Sequence, residues 1–327
     1  MVAMEFHHKN TTQGMMMNLP ARGPSRVELL THAWAIRKDP LSHLVDWHQR
    51  YGDVVLLPFK RPTYLLCNPA DVRHVLVTNQ RNYHKTGGLL IGKRLFGQGL
   101  LRSEDPLHLR QRRIMQPMFH HQNIVRFGEI MRTVAEETVR HWKEGTVINL
   151  AAEMTRTTAT IVGKSLFSLD ISSETSDLHA ALIDAQRYII KRQRTLLPLP
   201  EYVPTPSAVR YGRAVERFDK AIYGMIASRR ATHMPSQDML SLLLTASDDN
   251  GMPMSDRQIR DELLTLLLAG HETTANALTW SWYLLSQHSD VETRLCSELE
   301  AVLHGRAPSA ADVARLKYTA MVIAEAM

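Results

Sequence analysis

One stretch of the chain constrains the fold more than any other: residues 263–280, which read LLTLLLAGHETTANALTW. Its first half is apolar on nearly every side, and a helix that is apolar all round is a buried helix. Ser255 opens a Ser-x-x-Gln capping box, so we expect the helix to begin near Asp256. Because no proline follows before Pro308, the helix can continue to about Gln287, which makes it about 48 Å long.

The centre of this helix carries residues that a packed core does not favour. Gly270 costs about 1 kcal/mol relative to alanine in a helix, and the Glu272 carboxylate is costly to bury unless it is paired. Thr273 and Thr274 can bond back to the carbonyl one turn earlier. Ala269 lies four residues before Thr273 on the same face, so the two leave a shallow groove. Each residue alone is more often a sign of close helix packing, but together they predict a site where a flat ligand lies beside a proton relay.

A zinc-protease site is excluded by spacing. His271 and Glu272 begin an H-E-x-x-H motif, in which two histidines four residues apart bind zinc. The second histidine position is occupied by Ala275. We therefore predict no metal-ligand set in this helix.

The composition limits the classes of protein to which the chain can belong. Of its 327 residues, 44% are hydrophobic, which allows a sizeable core, and a net charge of +6 does not by itself indicate nucleic-acid binding. Two cysteines, Cys67 and Cys296, argue against a disulfide-built secreted protein and favour the cytoplasm. Residues 1–19 lack the apolar length of a signal or membrane helix, so we expect a flexible tail without a membrane anchor, followed by one domain over 20–327.

Short elements precede the long helix. Two β-rich runs, 53–59 and 63–67, flank residues 60–62 and predict a hairpin. Helical patterns dominate the rest, so the expected fold class is mainly α with a small N-terminal β-sheet. The glycine-rich stretch 83–101 has no G-x-G-x-x-G unit after a strand and is typical of a mobile surface loop. Prolines in 198–206 separate two helical segments, as a domain linker would, but the flanks lack the composition shift of two domains, so we favour a lid between helices.

A second candidate site lies in residues 103–119. Asp105 and Pro106 predict a helix start, and His108 and Arg112, four residues apart, share one face of that helix. An arginine fork binds carboxylates in bidentate fashion, and a histidine adds a further donor. A solvated basic face would explain a lone His-x-x-x-Arg pair equally well.

Both stretches resemble parts of one known family. Residues 269–274, Ala-Gly-His-Glu-Thr-Thr, resemble the oxygen-activating segment of the long central helix in cytochrome P450 haem-thiolate monooxygenases. Residues 103–119 resemble that family's His/Trp-x-x-x-Arg helix, including its Pro117-x-Phe119 exit. Residues 316–327, which include Glu325, resemble the opening of its Glu-x-x-Arg helix. The resemblance extends from about residue 20 to residue 327 and implies the cytochrome P450 fold.

The resemblance also implies roles for individual residues. Glu272 and Thr273 would be the catalytic acid–alcohol pair that guides protons to dioxygen. The cofactor would be haem b, iron protoporphyrin IX, and the residues implied to bind it are His108 and Arg112 at the propionates and Ala269, Gly270 and Thr273 at the haem face. Arg110 and Arg113 would be surface charges that help to dock an acidic electron-transfer partner.

The implied reaction inserts one oxygen atom of O2 into an apolar organic substrate. Electrons would come from a separate redox partner of the ferredoxin or flavodoxin type, because the chain contains no flavin or iron–sulfur domain. The apolar entrance would be formed by Leu196, Leu197, Leu199 and Tyr202.

The chain departs from the family pattern at the axial ligand of the haem iron. The family's cysteine-bearing haem loop supplies a thiolate that favours O–O cleavage. Neither Cys67 nor Cys296 lies in a matching context, so the chain resembles an amino-terminal fragment of a monooxygenase that ends before that loop. We expect the axial cysteine to be absent from this chain and the chain alone to be inactive.

Two other classes of protein remain open. The first is a non-catalytic, all-helical binding or structural module, in which the central helix is merely packed. The second is a metal-dependent, diphosphate-using helical enzyme with Asp248 and Asp249 as its acidic motif. The second lacks a further carboxylate-rich helical turn.

Overall fold

The structure is a computed structural model that describes residues 4–5, 22–59, 63–85, 92–169, 177–193, 195, 203–232 and 238–327. Helices dominate it and a small sheet lies near the N-terminus, so the predicted fold class is confirmed. The chain divides into two compact units: one contains residues 1–92 and 189–198, and the other contains residues 93–188 and 199–327. Both candidate sites belong to the second unit.

The first unit is built on an antiparallel sheet and short helices. Its elements are β1 (Met4–Glu5), α1 (Arg26–Thr31), α2 (Ala33–Lys38), α3 (Pro40–Tyr51), β2 (Val54–Leu57), β3 (Thr63–Leu66) and α4 (Pro69–Arg73), followed by a π-helical turn (His74–Thr78) and a 3-10 turn (Gln80–Asn82). The strand order is β1-β3-β2. Trp47, Val55, Leu57 and Leu65 form its core.

The predicted hairpin is present as β2 and β3. Val54 pairs with Leu66 and Leu57 pairs with Thr63, and the connecting residues 60–62 lie outside the described residues. Alternate side chains of both strands are buried, as the period of two requires. Within the stretch predicted as a flexible tail, Met4–Glu5 pairs with β3 as the edge strand β1.

The second unit is helical. Its elements are α5 (Lys93–Phe96), α6 (Leu107–Met115), a 3-10 turn (Gln116–Phe119), α7 (His121–Arg140), α8 (Leu150–Phe167), α9 (Asp177–Gln193), α10 (Pro206–Thr232), α11 (Met239–Thr245), α12 (Asp256–Gln287), α13 (Ser289–Leu303), a 3-10 turn (Ala310–Arg315) and α14 (Lys317–Ala326). The longest is α12, and it packs most extensively against α8, with further contacts to α5, α10, α11, α13 and α14.

The bounds of α12 agree with the sequence prediction. The Ser255 hydroxyl accepts a hydrogen bond from the Gln258 backbone N–H at 3.2 Å, which satisfies a donor that the first turn would leave without a partner. The helix then runs from Asp256 to Gln287 without interruption.

Burial along α12 differs from the prediction of a wholly buried helix. Ile259–Leu268 is buried almost throughout, with leucines facing α8, α10 and α11. From Ala269 onward one face is open, and Trp280 is 57% exposed. The apolar sequence predicted the burial of the first half correctly, but the second half has too few neighbouring elements in the described chain to cover all of its sides.

A search of the described ranges for membrane-spanning helices found none that is long and apolar enough to cross a bilayer. In α12 the apolar first half is followed directly by polar residues at its centre.

Candidate functional site

The centre of α12 presents a stripe of small and polar side chains on its open face. Ala269, Thr273, Asn276 and Trp280 follow each other at helical spacings of four, three and four residues, and all four are exposed. The Thr273 hydroxyl donates a hydrogen bond to the Ala269 carbonyl oxygen at 2.5 Å. This bond uses the hydroxyl proton and leaves the oxygen lone pairs free to accept.

Glu272 adjoins the open stripe. Its side chain is half-buried, and its carboxylate makes no hydrogen bond or ion pair with the part of the chain that the structure describes. A carboxylate on a central helix without a cationic partner is uncommon in a core. The acid and the alcohol predicted as a pair are therefore neighbours on one accessible side of α12.

Gly270 lies on a different side of the helix. A β-carbon built on Gly270 would lie 3.4 Å from Cγ2 of Val162 in α8, which is an ordinary contact distance. Close packing of α12 on α8 thus accounts for a small residue at this position. Of the three predicted haem-face residues, Ala269 and Thr273 lie on the open stripe and Gly270 lies at its border with α8.

His271 fixes the rotation of α12 about its own axis. The ring is 2% exposed; its Nε2 lies 3.1 Å from the Thr155 carbonyl of α8, and its Nδ1 lies 3.1 Å from Nε2 of Gln186 in α9. Since a carbonyl only accepts, the geometry assigns the proton to Nε2 and leaves Nδ1 to accept from the Gln186 amide. The imidazole therefore ties α12 to two helices at once, a role that its place in a failed zinc motif did not suggest.

The predicted cationic pair lies on α6. His108 is half-buried with Nδ1 3.5 Å from an Asp105 carboxylate oxygen. Arg112 is exposed, and its guanidinium makes no hydrogen bond or ion pair with other described residues. One helical turn separates the two side chains, so both can contact a single anionic ligand.

The prediction that Arg110 is a surface charge is wrong. Its Nε donates to Asp248 at 2.7 Å, its Nη1 donates to Gln258 at 3.3 Å, and its Nη2 reaches the carbonyls of Met252 and Pro253 at 3.2 and 3.4 Å. The guanidinium also holds the pKa of the Asp248 carboxyl below its usual value. Arg110 thus links α6 to the turn before α12 and to the start of α12. Its guanidinium is not available for docking a partner.

The same contacts remove the basis for a diphosphate-dependent enzyme. Asp248 is bonded to Arg110 and to the backbone N–H groups of Asn250 and Met252, and Asp249 lies 3.5 Å from the exposed Arg113. Among the residues described, no group of three or more His, Cys, Asp or Glu side chains could hold a metal ion. The two aspartates stabilise a turn.

Sequence reasoning missed three consecutive buried charges in the first half of α12. Arg260 donates to Asp219 at 2.7 Å, to Asp261 at 2.8 Å and to the Leu95 carbonyl at 2.6 Å. Asp261 and Glu262 are buried as well. A run of Arg, Asp and Glu in an otherwise apolar helix was the available signal, because such charges require partners when buried.

The partners of the two carboxylates are in the glycine-rich segment. Gly97 has φ +50°, and a β-carbon there would lie 2.1 Å from the Asp261 carboxylate. A β-carbon at Gly99 would lie 2.2 Å from the Thr265 hydroxyl. For residues 97–100 the prediction of a mobile surface loop is therefore wrong, since only glycine permits this close approach to α12. Residues 86–91 lie outside the described residues, as do the predicted entrance residues 196–202.

The two cysteines belong to other elements than these site residues. Cys67 packs against the core of the first unit, and burial raises the pKa of its thiol. Cys296 is exposed in the middle of α13.

Known proteins resemble the chain in sequence and in structure. Cyclooctatin synthase of Streptomyces melanosporofaciens is 37% identical over 310 residues, covering 93% of this chain and 67% of the relative. Pentalenene oxygenase of Streptomyces avermitilis is 32% identical over 307 residues, covering 93% and 68%. Cyclooctat-9-en-7-ol 5-monooxygenase of Streptomyces melanosporofaciens is 33% identical over 310 residues, covering 93% and 66%. The chain thus spans about two thirds of the length of these relatives.

A solved structure gives the same assignment. The crystal structure of the heme domain of cytochrome P450DA superposes with a TM-score of 0.81 and 25% sequence identity, covering 94% of this chain and 69% of that one. The family model described as Cytochrome P450 matches residues 21–327. Taken with the open acid–alcohol stripe on α12, these likenesses establish that the chain belongs to the cytochrome P450 family of haem-dependent monooxygenases.

Proposed function

We propose that the open stripe of α12 and the cationic pair of α6 hold haem b, and that the protein inserts one oxygen atom of O2 into an apolar organic substrate. Ala269, Gly270 and Thr273 would contact the haem face, and His108 and Arg112 would bind its propionates. One observation carries the proposal: at the centre of the longest described helix, the exposed Ala269 and Thr273 lie beside the half-buried carboxylate of Glu272.

The described residues fit such a cofactor in shape and in charge. A porphyrin is flat and needs a face free of large side chains, and the only side chain on the stripe between Ala269 and Asn276 is that of Thr273. The propionates are anionic and suit a guanidinium and an imidazole that are not neutralised by strong ion pairs. Haem, when bound, supplies the activation of dioxygen.

The protein's own contribution is to position and deliver protons. The Thr273 oxygen can accept a hydrogen bond from outside the helix while its own hydroxyl hydrogen is donated to the Ala269 carbonyl. Glu272, half-buried and without a cationic partner among the described residues, can exchange protons with solvent and pass them along the helix surface. We assign to the two residues the roles of relay acid and orienting alcohol.

The substrate proposal rests on the relatives. Two of them are named as oxygenases of pentalenene and of cyclooctat-9-en-7-ol. We propose that the substrate of this protein is likewise an apolar organic molecule that enters past Leu196, Leu197, Leu199 and Tyr202. Electrons would come from a separate protein of the ferredoxin or flavodoxin type. The proposal of a cytoplasmic location rests on the scarcity of cysteine.

We further propose that neither cysteine of this chain is the axial ligand, because Cys67 belongs to the core of the first unit and Cys296 to the exposed side of α13. Reconstitution with haem, followed by reduction under carbon monoxide, tests this. We expect no red-shifted Soret band of the thiolate type, and identical spectra for Cys67→Ser and Cys296→Ser. A thiolate-type band that either serine variant abolishes would contradict the proposal.

The roles of Glu272 and Thr273 are tested by coupling in the parent monooxygenase, with haem and an axial cysteine ligand both present. We expect Glu272→Gln and Thr273→Val to consume more electrons per molecule of product than the wild type, because both interrupt proton delivery. Thr274→Val is the matched control, since it makes the same chemical change one residue later. Coupling that stays at the wild-type value in both test variants would refute the assignment.

The competing class, a non-catalytic helical module, predicts no haem uptake. A haem titration followed by absorption separates the two. Saturable binding that weakens in His108→Ala and Arg112→Ala supports the oxygenase, whereas absence of binding supports the module.

A further inference from the structure

We propose that Asp261, the backbone of Gln98 and the side chain of Gln111 form a positioning clamp that sets where α6 lies relative to α12. These residues are called the clamp below. The inference rests on the proposed function, because the two helices are the ones assigned to the two sides of the haem. It adds residues that contact neither cofactor nor substrate but determine where the contacting residues stand.

The peptide groups of Gln98 are held from two sides. Its N–H donates to Asp261 of α12 at 2.8 Å, and its C=O accepts from the Gln111 amide of α6 at 2.7 Å. Gln111 is 0% exposed, and its own amide oxygen accepts from the Ser103 hydroxyl at 2.5 Å. Both ends of the Gln111 amide are therefore occupied, which fixes its orientation.

A parallel bond supports the same connection. The Leu100 N–H donates to Glu262 of α12 at 2.8 Å, two residues after the Gln98 contact. The second carboxylate oxygen of Asp261 accepts from Arg260 at 2.8 Å, so the acceptor does not rotate freely. Hydrogen bonds to ionised groups in a buried site are among the stronger ones in proteins.

The two glycines on either side of Gln98, Gly97 and Gly99, have no room for a side chain. A β-carbon at Gly97 or at Gly99 would overlap Asp261 or Thr265, as the distances of 2.1 and 2.2 Å show. The segment thus lies too close to α12 to admit a β-carbon at either glycine. This close approach lets carboxylates rather than water satisfy its N–H groups.

The position of the clamp relates it to the haem-binding residues. On α6, His108 lies three residues before the buried Gln111 and Arg112 lies one residue after it, so Gln111 fixes the helical turn that carries both. On α12, Ala269 follows Asp261 by eight residues, which is about 12 Å along the helix. A buried, directional set of hydrogen bonds defines one distance between α6 and α12, whereas apolar packing alone would allow the two helices to slide past each other.

The direct test measures haem loss to a scavenging apoprotein. We expect Gln111→Met, which keeps the volume and removes both bonds, to lose haem about tenfold faster than the wild type. Asp261→Leu should do the same, and Asp261→Asn, which keeps an acceptor for the Gln98 N–H, should stay near the wild-type rate. Ser103→Ala provides a milder variant with a smaller change in the same direction, should the others fail to fold.

Stability is separated from positioning by a matched control. Asp238→Asn removes a buried, arginine-paired carboxylate far from the clamp in sequence, and we expect it to lower the unfolding temperature but to leave haem loss unchanged. Amide hydrogen exchange at Gln98 and Leu100 should accelerate in the clamp variants only.

The outcomes distinguish the two proposals. A wild-type chain that takes up no haem refutes the proposed function. Haem uptake, with loss as slow in Gln111→Met and Ser103→Ala as in Asp238→Asn, refutes the clamp and leaves the proposed function standing.

Discussion

The two halves of α12 belong to one uninterrupted helix but differ in environment. In Ile259–Leu268 even the charges are buried, and each has a partner from outside the helix. From Ala269 to Gln287 one face is open. The difference shows that one helix can serve as a core element over its first turns and as a ligand-binding surface over its later turns.

Carboxylates make the contrast concrete. Asp261 and Glu262 accept backbone N–H groups at 2.8 Å, and this use as structural acceptors explains why they can be buried. Glu272 has no such partner among the described residues. The same chemical group is thus committed to the fold in one half and left available for proton transfer in the other.

The largest expected effect comes from removing a charge in the first half. Arg260→Met should lower the free energy of unfolding by about 3–5 kcal/mol, because it leaves the Asp261 carboxylate buried without its cation. Urea unfolding measures the change. Arg257→Met, at an exposed position of the same helix, is the control, and an equal loss there would contradict the comparison.

Apolar truncations should show the same asymmetry. Leu264 is 0% exposed, so Leu264→Ala should cost about 2–5 kcal/mol of unfolding free energy through lost burial and a cavity. Trp280→Ala should cost less than about 1 kcal/mol despite the larger side chain, since the indole is 57% exposed. If the tryptophan proved the costlier of the two, the second half would be covered in solution.

Acid should destabilise α11, which packs against α12, because Asp238 at the start of α11 becomes protonated. Burial alone would raise the pKa of Asp238, but bonds from Arg229, Ser241 and Ser168 lower it below its ordinary value of 3.8. The unfolded chain therefore binds this proton more readily, so the stabilisation is complete above about pH 4 and is lost as pH falls through the folded pKa.

Asp238→Asn tests this dependence. We expect it to cost about 1–3 kcal/mol at pH 7 and to flatten the decline of stability below pH 4. Unfolding followed at both pH values in wild type and variant measures it. An unchanged acid decline would assign the pH dependence to other carboxylates.

The smallest effect is expected at the boundary between the halves. Gly270→Ala places a methyl group at ordinary contact distance from Val162, so it should raise the unfolding free energy by up to about 1 kcal/mol through helix propensity. Thermal unfolding measures it. A clear loss of stability would indicate that α8 packs more tightly at the boundary than the 3.4 Å contact implies.

The sequence predicted the elements that depend on local signals. The bounds of α12 followed from the cap at Ser255 and the lack of proline, and the hairpin followed from two β-rich runs around 60–62. The shared face of Ala269 and Thr273 followed from small residues at helical spacing. In each case the controlling interactions lie within a few residues.

Features that depend on distant partners were not predictable. The partner of Arg110, Asp248, lies 138 residues away in sequence. Helical spacing alone therefore cannot tell the bonded Arg110 from the exposed Arg112. The glycines at 97 and 99 looked like loop residues because Asp261, which requires their lack of side chains, is more than 160 positions later. Whether the later turns of α12 are covered depends on neighbouring elements, not on the helix itself.

The imidazole of His271 has a consequence for insertions and deletions. It binds α12 to α8 and α9, and Asp261, ten residues earlier, binds α12 to the backbone of Gln98. These two attachments together fix the rotation of α12 about its own axis. One added residue between these points would turn everything beyond it by about 100°. Thr273 would then stand where Thr274 now stands and Glu272 where Thr273 now stands, so the acid and the alcohol would point in new directions although the helix stayed helical.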